Sequence, residues 1–323
     1  MTLKEIKAPV EGHMKTFETY FRNSMKTSVP LLNTITNYIV KRKGKQMRPL
    51  FVFFSAALFS GINQRTYRAA TLIEMLHTAT LIHDDVVDDS NERRGFFSLN
   101  ALWKNKISVL VGDYLLSRGL LLSLENDDVD LLRIVSYSVK EMSEGELLQM
   151  EKARNLDIEE SVYFEIIRKK TASLIASCLA SGTASTGASP DEIEKMRQIG
   201  EKIGIAFQIK DDILDFDTSN YTGKPAAIDI KERKMTLPLI YLLNNSGYLQ
   251  KRKIINIVKN HNTDREKIAW LIEQVNKGGG LNYATKMMTQ YRNQAIEMLQ
   301  QMPDNPAKES LRQLIDFTIE RKN

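Results

Sequence analysis

The stretch "TLIEMLHTATLIHDDVVDDSNERRG", Thr71 to Gly95, decides the fold. Up to Ile82 its apolar residues recur at spacings of three and four, the period of a helix with a buried face. Four aspartates then fall within six residues, Asp84, Asp85, Asp88 and Asp89, and Arg93 and Arg94 follow. An apolar helix ends in concentrated negative charge, and something must neutralise it. Outward from this stretch the same period persists, with no proline between Pro49 and Pro190, which favours long, closely packed helices. The core face reads Ala69, Leu72, Ile73, Leu76 and Thr80 from Arg65 to Asp89. From Asp157 to Ser185 it reads Ile158, Phe164, Ile167, Leu174, Ile175 and Cys178. Alternating strand patterns flanked by hairpin signals are absent. The expected fold is all-α: one domain over residues 1–323, a bundle of roughly a dozen helices around a central cavity.

The 323 residues are 42% hydrophobic and 26% charged, an ordinary globular balance. A net charge of +5, with Lys and Arg spread along the chain, gives no support to nucleic-acid binding. The densest basic run, "KRKGKQMR" (Lys41 to Arg48), reads either as a solvated turn or as an anion-binding loop. In the second reading Gly44 admits the backbone while Lys45 and Arg48 bring charge. The single cysteine, Cys178, excludes an internal disulfide and fits a reducing compartment. The opening "MTLKEIKAPVEG" lacks an apolar signal core. The greasiest run, "ISVLVGDYLLSRGLLLSL" (Ile107 to Leu124), carries Asp113 and Arg118, so it reads as a buried core helix rather than a membrane span. A soluble, cytoplasmic protein is expected. "ASPDEIEK" marks a helix start, with Ser189 as cap and Pro190 in the first turn.

"DDVVD" (Asp84 to Asp88) recurs as "DDILD" (Asp211 to Asp215). Eighteen aspartates in this length produce D-D-x-x-D by chance about 0.05 times, so two copies point to shared chemistry. On a helix, Asp84 with Asp88, and Asp211 with Asp215, lie one turn apart on one face. At ~6 Å and an effective dielectric of about 20, each pair repels by roughly 3 kcal/mol. Bound cations remove that cost. Oxygen-only, aspartate-rich ligands without a His or Cys cluster favour Mg²⁺, which takes one or two carboxylates, waters and substrate phosphates. Two aspartate pairs thus suit a diphosphate held through several Mg²⁺ ions. Arg93 and Arg94, just past the first pair, add bidentate phosphate donors, and Lys45, Arg48, Lys170, Lys224 and Lys234 extend the supply.

These ordered motifs resemble the trans-polyprenyl diphosphate synthases (isoprenyl diphosphate synthases), long-chain type, over roughly Gly44 to Leu239. "GKQMRP" (Gly44 to Pro49), "EMLHTATLIHDDVVDDSNERRG", "KKTASL" (Lys169 to Leu174), "FQIKDDILD" (Phe207 to Asp215) and "GKPAAIDIKERKMTLP" (Gly223 to Pro238) follow in the family's order. Three positions depart from it. Lys43 stands where a second glycine is usual, Arg233 where a glycine precedes the lysine, and "PAAID" lacks a glycine before Asp229.

The resemblance implies an isoprenoid synthase-like fold, a homodimer, and about three Mg²⁺ ions on Asp84, Asp85, Asp88, Asp211 and Asp215 around an allylic diphosphate (geranyl, farnesyl or geranylgeranyl). Arg93, Lys170, Lys224 and Lys234 would contact the same diphosphate. Lys45, Arg48, His77 and Arg94 would bind isopentenyl diphosphate. Thr171 and Gln208 would sit near the developing allylic cation, with Asp212 beside them. His77, alone on an apolar helix, reads equally as a core residue. His83 is read as structural, and Asp89 and Asp212 as groups behind the metal ligands. Ala79, five residues before Asp84, and Thr80 beside it are small. In this family large aromatics there act as a floor, so the tail is expected to grow long. Peripheral membrane contact for product release is a further expectation. The alternatives are a geranylgeranyl synthase, a terpene cyclase-like enzyme, a di-iron bundle built on "EMLH" (Glu74 to His77), and a non-catalytic partner subunit. A cyclase needs no second diphosphate, the di-iron motif has no second copy, and an inert subunit need not keep both aspartate sets.

Overall fold

The computed structural model describes residues 2–41, 44–88, 90, 92–93, 96–153, 159–216 and 227–320, with backbone alone at 92, 93 and 320. Among these, sixteen α-helical segments, one 3-10 turn and one π-helical turn carry the chain, so the fold is all-α. The exception is an antiparallel ribbon pairing Glu92 with Phe97 and Arg93 with Phe96, directly after the first aspartate run. Each strand is 2 residues long, too short to show an alternating pattern in sequence. The chain forms two compact units. One holds Met1–Val139, Ser177–Arg197 and Met302–Leu311; the other holds Lys140–Ala176, Gln198–Gln301 and Arg312–Asn323.

The first unit is organised on the helix Gln64–Val87. Its start is fixed by a capping box: the Asn63 side chain accepts from the Thr66 N–H, and Thr66 Oγ1 accepts from the Asn63 N–H. Ala69, Leu72, Ile73 and Leu76 are buried as expected, whereas Thr80 is half-buried and Ala79 occupies the core. This helix packs along Leu99–Leu124. Glycine permits the approach: a Cβ at Gly112 would lie 2.2 Å from His83 Nε2. Below, Arg65 and Arg68 both pair with the buried carboxylate of Asp128 and pin the helix start. Leu99–Leu124 buries one face, which includes Ser108, Val111, Gly112, Leu115, Gly119 and Leu122. Its other face exposes Leu102, Val109, Leu110, Leu120, Leu121 and Leu124. The wholly buried helix expected from sequence is therefore two-faced. It is long and apolar enough to cross a bilayer, yet 39% of its most apolar window is buried within the protein.

The second unit is built on a core that includes Tyr163, Ile167, Ile209, Leu237 and Leu271. Fully burying an aliphatic side chain of this kind contributes about 1.5–3 kcal/mol. The expected continuous helix from Asp157 to Ser185 is instead Glu160–Ile167, a π-helical turn Arg168–Ala172, and Ser173–Ala184. Ile158 lies outside the described residues. Two glycines hold the wide turn from either side. A Cβ at Gly145 would lie 2.7 Å from the Lys170 backbone nitrogen, and one at Gly204 would lie 2.4 Å from Ala172 Cα. Gly200 and Gly204 thus serve helix packing. The helix Pro190–Asp215 begins as its sequence signals, with the Ser189 N–H donating to Glu192 Oε2 at 2.8 Å.

Candidate active site

In the first unit the aspartate run forms the last turn of Gln64–Val87, with Asp88 as its C-cap. A helix C-terminus carries partial negative charge, so this placement adds to the carboxylates' mutual repulsion and to their demand for cations. Asp84 is half-buried, Asp85 is buried and Asp88 is exposed. On the same helix His77 is half-buried, and the Thr80 hydroxyl donates to its carbonyl at 2.8 Å. Ala79 is fully buried among Met75, Val111 and Leu115. Glu74, one turn before His77, receives both arms of Arg48: Nε donates at 2.6 Å and a terminal nitrogen at 3.3 Å. Arg48 lies in the first turn of Met47–Leu58, whose cap, Gln46, is left-handed at φ 54°. Exposed Lys45 precedes it, and its carbonyl accepts from Lys7 Nζ at 2.8 Å. Lys45 and Arg48 therefore stand on either side of a helix start, a position suited to anions. Cys178 is fully buried, and burial pushes its thiol up, far from thiolate reactivity.

In the second unit the π-helical turn carries Lys170 and Thr171. Such turns recur at functional sites because they displace side chains from the regular helical register. The Thr171 hydroxyl donates to Gln208 Oε1 at 2.8 Å, and Gln208 Nε2 donates to Asp212 Oδ1 at 3.1 Å. The other carboxylate oxygen of Asp212 accepts from the Tyr163 hydroxyl at 2.7 Å and the Leu237 N–H at 3.3 Å. Burial pushes the Asp212 pKa up to about 7, against the lowering effect of the Tyr163 and Gln208 hydrogen bonds. Asp211 is half-buried. Asp215 accepts the backbone N–H of Ile228 at 2.9 Å and of Asp229 at 3.2 Å, which caps Ile228–Lys231. Burial, then the charge of Asp229, raise its pKa to about 6. The cations have local partners too: Lys170 pairs with Glu146, and Lys234 with Glu232 at 2.5 Å and Asp229 at 3.6 Å. Although burial opposes it, Glu232, Asp229 and Glu146 hold the Lys234 ammonium above its ordinary pKa.

A sequence model of the polyprenyl synthetase family matches residues 29–275. The chain belongs to that family. It is 33% identical over 320 residues, 98% of each chain, to an all-trans-nonaprenyl-diphosphate synthase (geranyl-diphosphate specific) of Rhodobacter capsulatus. A Caulobacter crescentus polyprenyl synthase complexed with calcium and isoprenyl diphosphate matches with a TM-score of 0.90 and 31% identity, covering 100% of this chain and 98% of that one. A geranylgeranyl pyrophosphate synthase from Bacteroides thetaiotaomicron matches at 0.83 and 36% identity over 98% of each chain. The protein is thus a polyprenyl diphosphate synthase, a prenyltransferase of a metal-dependent family acting on isoprenyl diphosphates.

The donor set of this polyprenyl synthase fits Mg²⁺. Among the described residues no group of three or more His, Cys, Asp or Glu side chains converges tightly enough to cage a metal. Each helix end offers carboxylate oxygens, a donor type that Mg²⁺ takes together with water and phosphate. Arg94 and Lys224, as well as Asp89, lie outside the described residues, as does the side chain of Arg93. The structure joins Thr171 to Gln208 and Asp212, but it also brings in two partners that the sequence did not single out, Tyr163 and Glu146, and gives Glu74 a partner, Arg48, in place of the metal of the di-iron alternative. Only the need of Lys170 for a counter-ion foreshadowed Glu146, and Tyr163 carries no local signal. Two of the departures from the family's motifs coincide with left-handed backbone. Ala227 sits at φ 66° and Arg233 at φ 59°, which a glycine adopts without strain.

Proposed function

We propose that this enzyme condenses isopentenyl diphosphate with an allylic diphosphate to make a long all-trans polyprenyl diphosphate by ionisation, condensation and elimination. The observation that carries the reading is the placement of both aspartate motifs at helix C-termini, oxygen-only sites that a metal-bound diphosphate completes. About three Mg²⁺ ions on Asp84, Asp85, Asp88, Asp211 and Asp215 would supply Lewis-acid neutralisation of the leaving diphosphate. Arg93, Lys170, Lys224 and Lys234 bind that diphosphate, with Lys170 and Lys234 exchanging Glu146 and Glu232 for phosphate oxygens. Lys45, Arg48, His77 and Arg94 hold isopentenyl diphosphate. The oxygen dipoles of Thr171 and Gln208 and the ring of Phe207 face the allylic cation, and closure excludes water that would capture it. The released proton goes to pyrophosphate, since the sequence offers no obvious side-chain base.

The small, buried Ala79 supports a long product, as does full-length similarity to a nonaprenyl-diphosphate synthase. A geranylgeranyl product is the second reading, favoured by 36% identity to a synthase of that name. Mass spectrometry of lipids made from Mg²⁺, farnesyl diphosphate and isopentenyl diphosphate decides: products beyond geranylgeranyl support the first reading, and arrest there supports the second. The exposed leucine face of Leu99–Leu124 supports a homodimer. Tyr248 and Leu249, 73% and 80% exposed beside Lys251, Arg252 and Lys253, support peripheral membrane contact for product release. The lone buried Cys178 supports a cytoplasmic location.

A further inference from the structure

We propose that Tyr163 is a positioning residue for prenyl transfer: through the buried carboxylate of Asp212 it fixes Gln208, and through Gln208 it fixes the hydroxyl of Thr171. The proposal rests on the reading above that Thr171 and Gln208 face the allylic cation. Tyr163 is 4% exposed, in the core of the second unit, so its role runs through its neighbours. Its hydroxyl donates to Asp212 Oδ2 at 2.7 Å, the shortest of the three hydrogen bonds that hold this carboxylate.

The direction of the relay follows from donor and acceptor chemistry. The Tyr163 O–H and the Leu237 N–H are both given to Asp212 Oδ2, and the Gln208 amide turns its nitrogen to the other oxygen, Oδ1, at 3.1 Å. The Gln208 carbonyl oxygen is thereby aimed at Thr171 and takes the hydrogen of its hydroxyl at 2.8 Å. With that hydrogen engaged, Thr171 presents lone pairs rather than a proton to whatever lies beyond it. That is the orientation a developing carbocation requires, and dipoles fixed before the reaction need no reorganisation during it. The backbone of Thr171 is already set by the π-helical turn between Gly145 and Gly204. The hydroxyl rotor is the remaining freedom, and the relay removes it.

Tyr163→Phe keeps the ring and its edge contact with Phe164, at 5.3 Å between centroids, and removes the hydroxyl alone. By analogy with groups that orient first-contact ligands, kcat should fall about 10- to 100-fold. KM for both diphosphates should stay within about twofold, because neither diphosphate is held by this relay. Thr171→Val should lower kcat as well. The double variant should be no slower than the slower single variant, since both changes break one chain. Normal kcat in Tyr163→Phe while Thr171→Val is impaired overturns the relay and leaves the site reading standing, as does simple multiplication of the two defects. Normal kcat in Thr171→Val overturns the reading of Thr171 itself. A lowered melting temperature in Tyr163→Phe with unchanged kcat also overturns the relay, since it assigns the tyrosine to the core alone.

Discussion

The two aspartate motifs share a pattern and a position at the last turn of a helix, but they differ in what surrounds their carboxylates. The first ends Gln64–Val87 with its final aspartate, Asp88, exposed as the cap. The second is woven into its unit: Asp212 accepts three hydrogen bonds, and Asp215 accepts two backbone N–H groups of the next helix. The same five-letter spacing thus leaves the last carboxylate exposed at one end and ties the carboxylates into the scaffold at the other. A carboxylate with backbone partners is held in place before any ligand arrives. An exposed one gains its order from the ligand.

The largest effect that sharpens this contrast is on turnover. Asp84→Asn should slow prenyl transfer about a thousandfold, as expected for losing a group aimed at developing charge, while circular dichroism shows an unchanged helical content. Normal turnover in this variant would remove the first motif from the chemistry. Next comes stability. Asp212→Leu leaves the Tyr163 hydroxyl, the Gln208 amide and the Leu237 N–H without their acceptor. The two buried ones, the Tyr163 hydroxyl and the Leu237 N–H, cost about 1–3 kcal/mol each. Asp88→Leu, at an exposed position, should change stability by less than about 0.5 kcal/mol. Equal melting temperatures for the two variants would erase the difference between the motifs.

The third effect is on pH. Asp212 and Asp215 titrate near 7 and 6 in the fold, above the ordinary aspartate value of 3.8. Their protonated forms are therefore favoured by folding. That contribution is complete below about pH 4 and is lost as pH rises through 6 and 7. Melting of the metal-free protein should accordingly move down between pH 5 and pH 8, and Asp212→Asn should flatten the slope. A slope of the opposite sign, or one indifferent to Asp212→Asn, breaks the account of the second motif. Above the first motif, Ala79→Tyr should shorten the product distribution measured by mass spectrometry; an unchanged length would remove Ala79 from the argument. A smaller gain in stability is expected at the left-handed positions. Ala227→Gly and Arg233→Gly should each stabilise by about 0.5–1 kcal/mol in denaturant melts, the relieved left-handed cost less the added chain entropy.

Much of this was legible because helical period and acidic spacing are local properties. Ala69, Leu72, Ile73 and Leu76 lie where their spacing places them, and Ser189 caps the helix its sequence announces. What escaped was set by contacts distant along the chain. The π-helical turn at Lys170 and Thr171 depends on Gly145 and Gly204, and no propensity of "RKKTA" foretells it. The pairing of Arg48 with Glu74 joins residues on two helices, and Glu74 read in isolation suggested half of a di-iron motif. Leu99–Leu124 looked buried all round because its exposed face is as apolar as its packed one. The family's missing glycines were visible as departures, but their left-handed backbone was not.

Calorimetric titration of inorganic pyrophosphate with Mg²⁺ into the wild type, Asp84→Asn and Asp211→Asn asks most directly whether both helix ends grip one ligand. Tight binding that needs Mg²⁺ and is lost in both variants is the predicted result. Pyrophosphate binding that ignores Mg²⁺, or that survives intact in either variant, would contradict it.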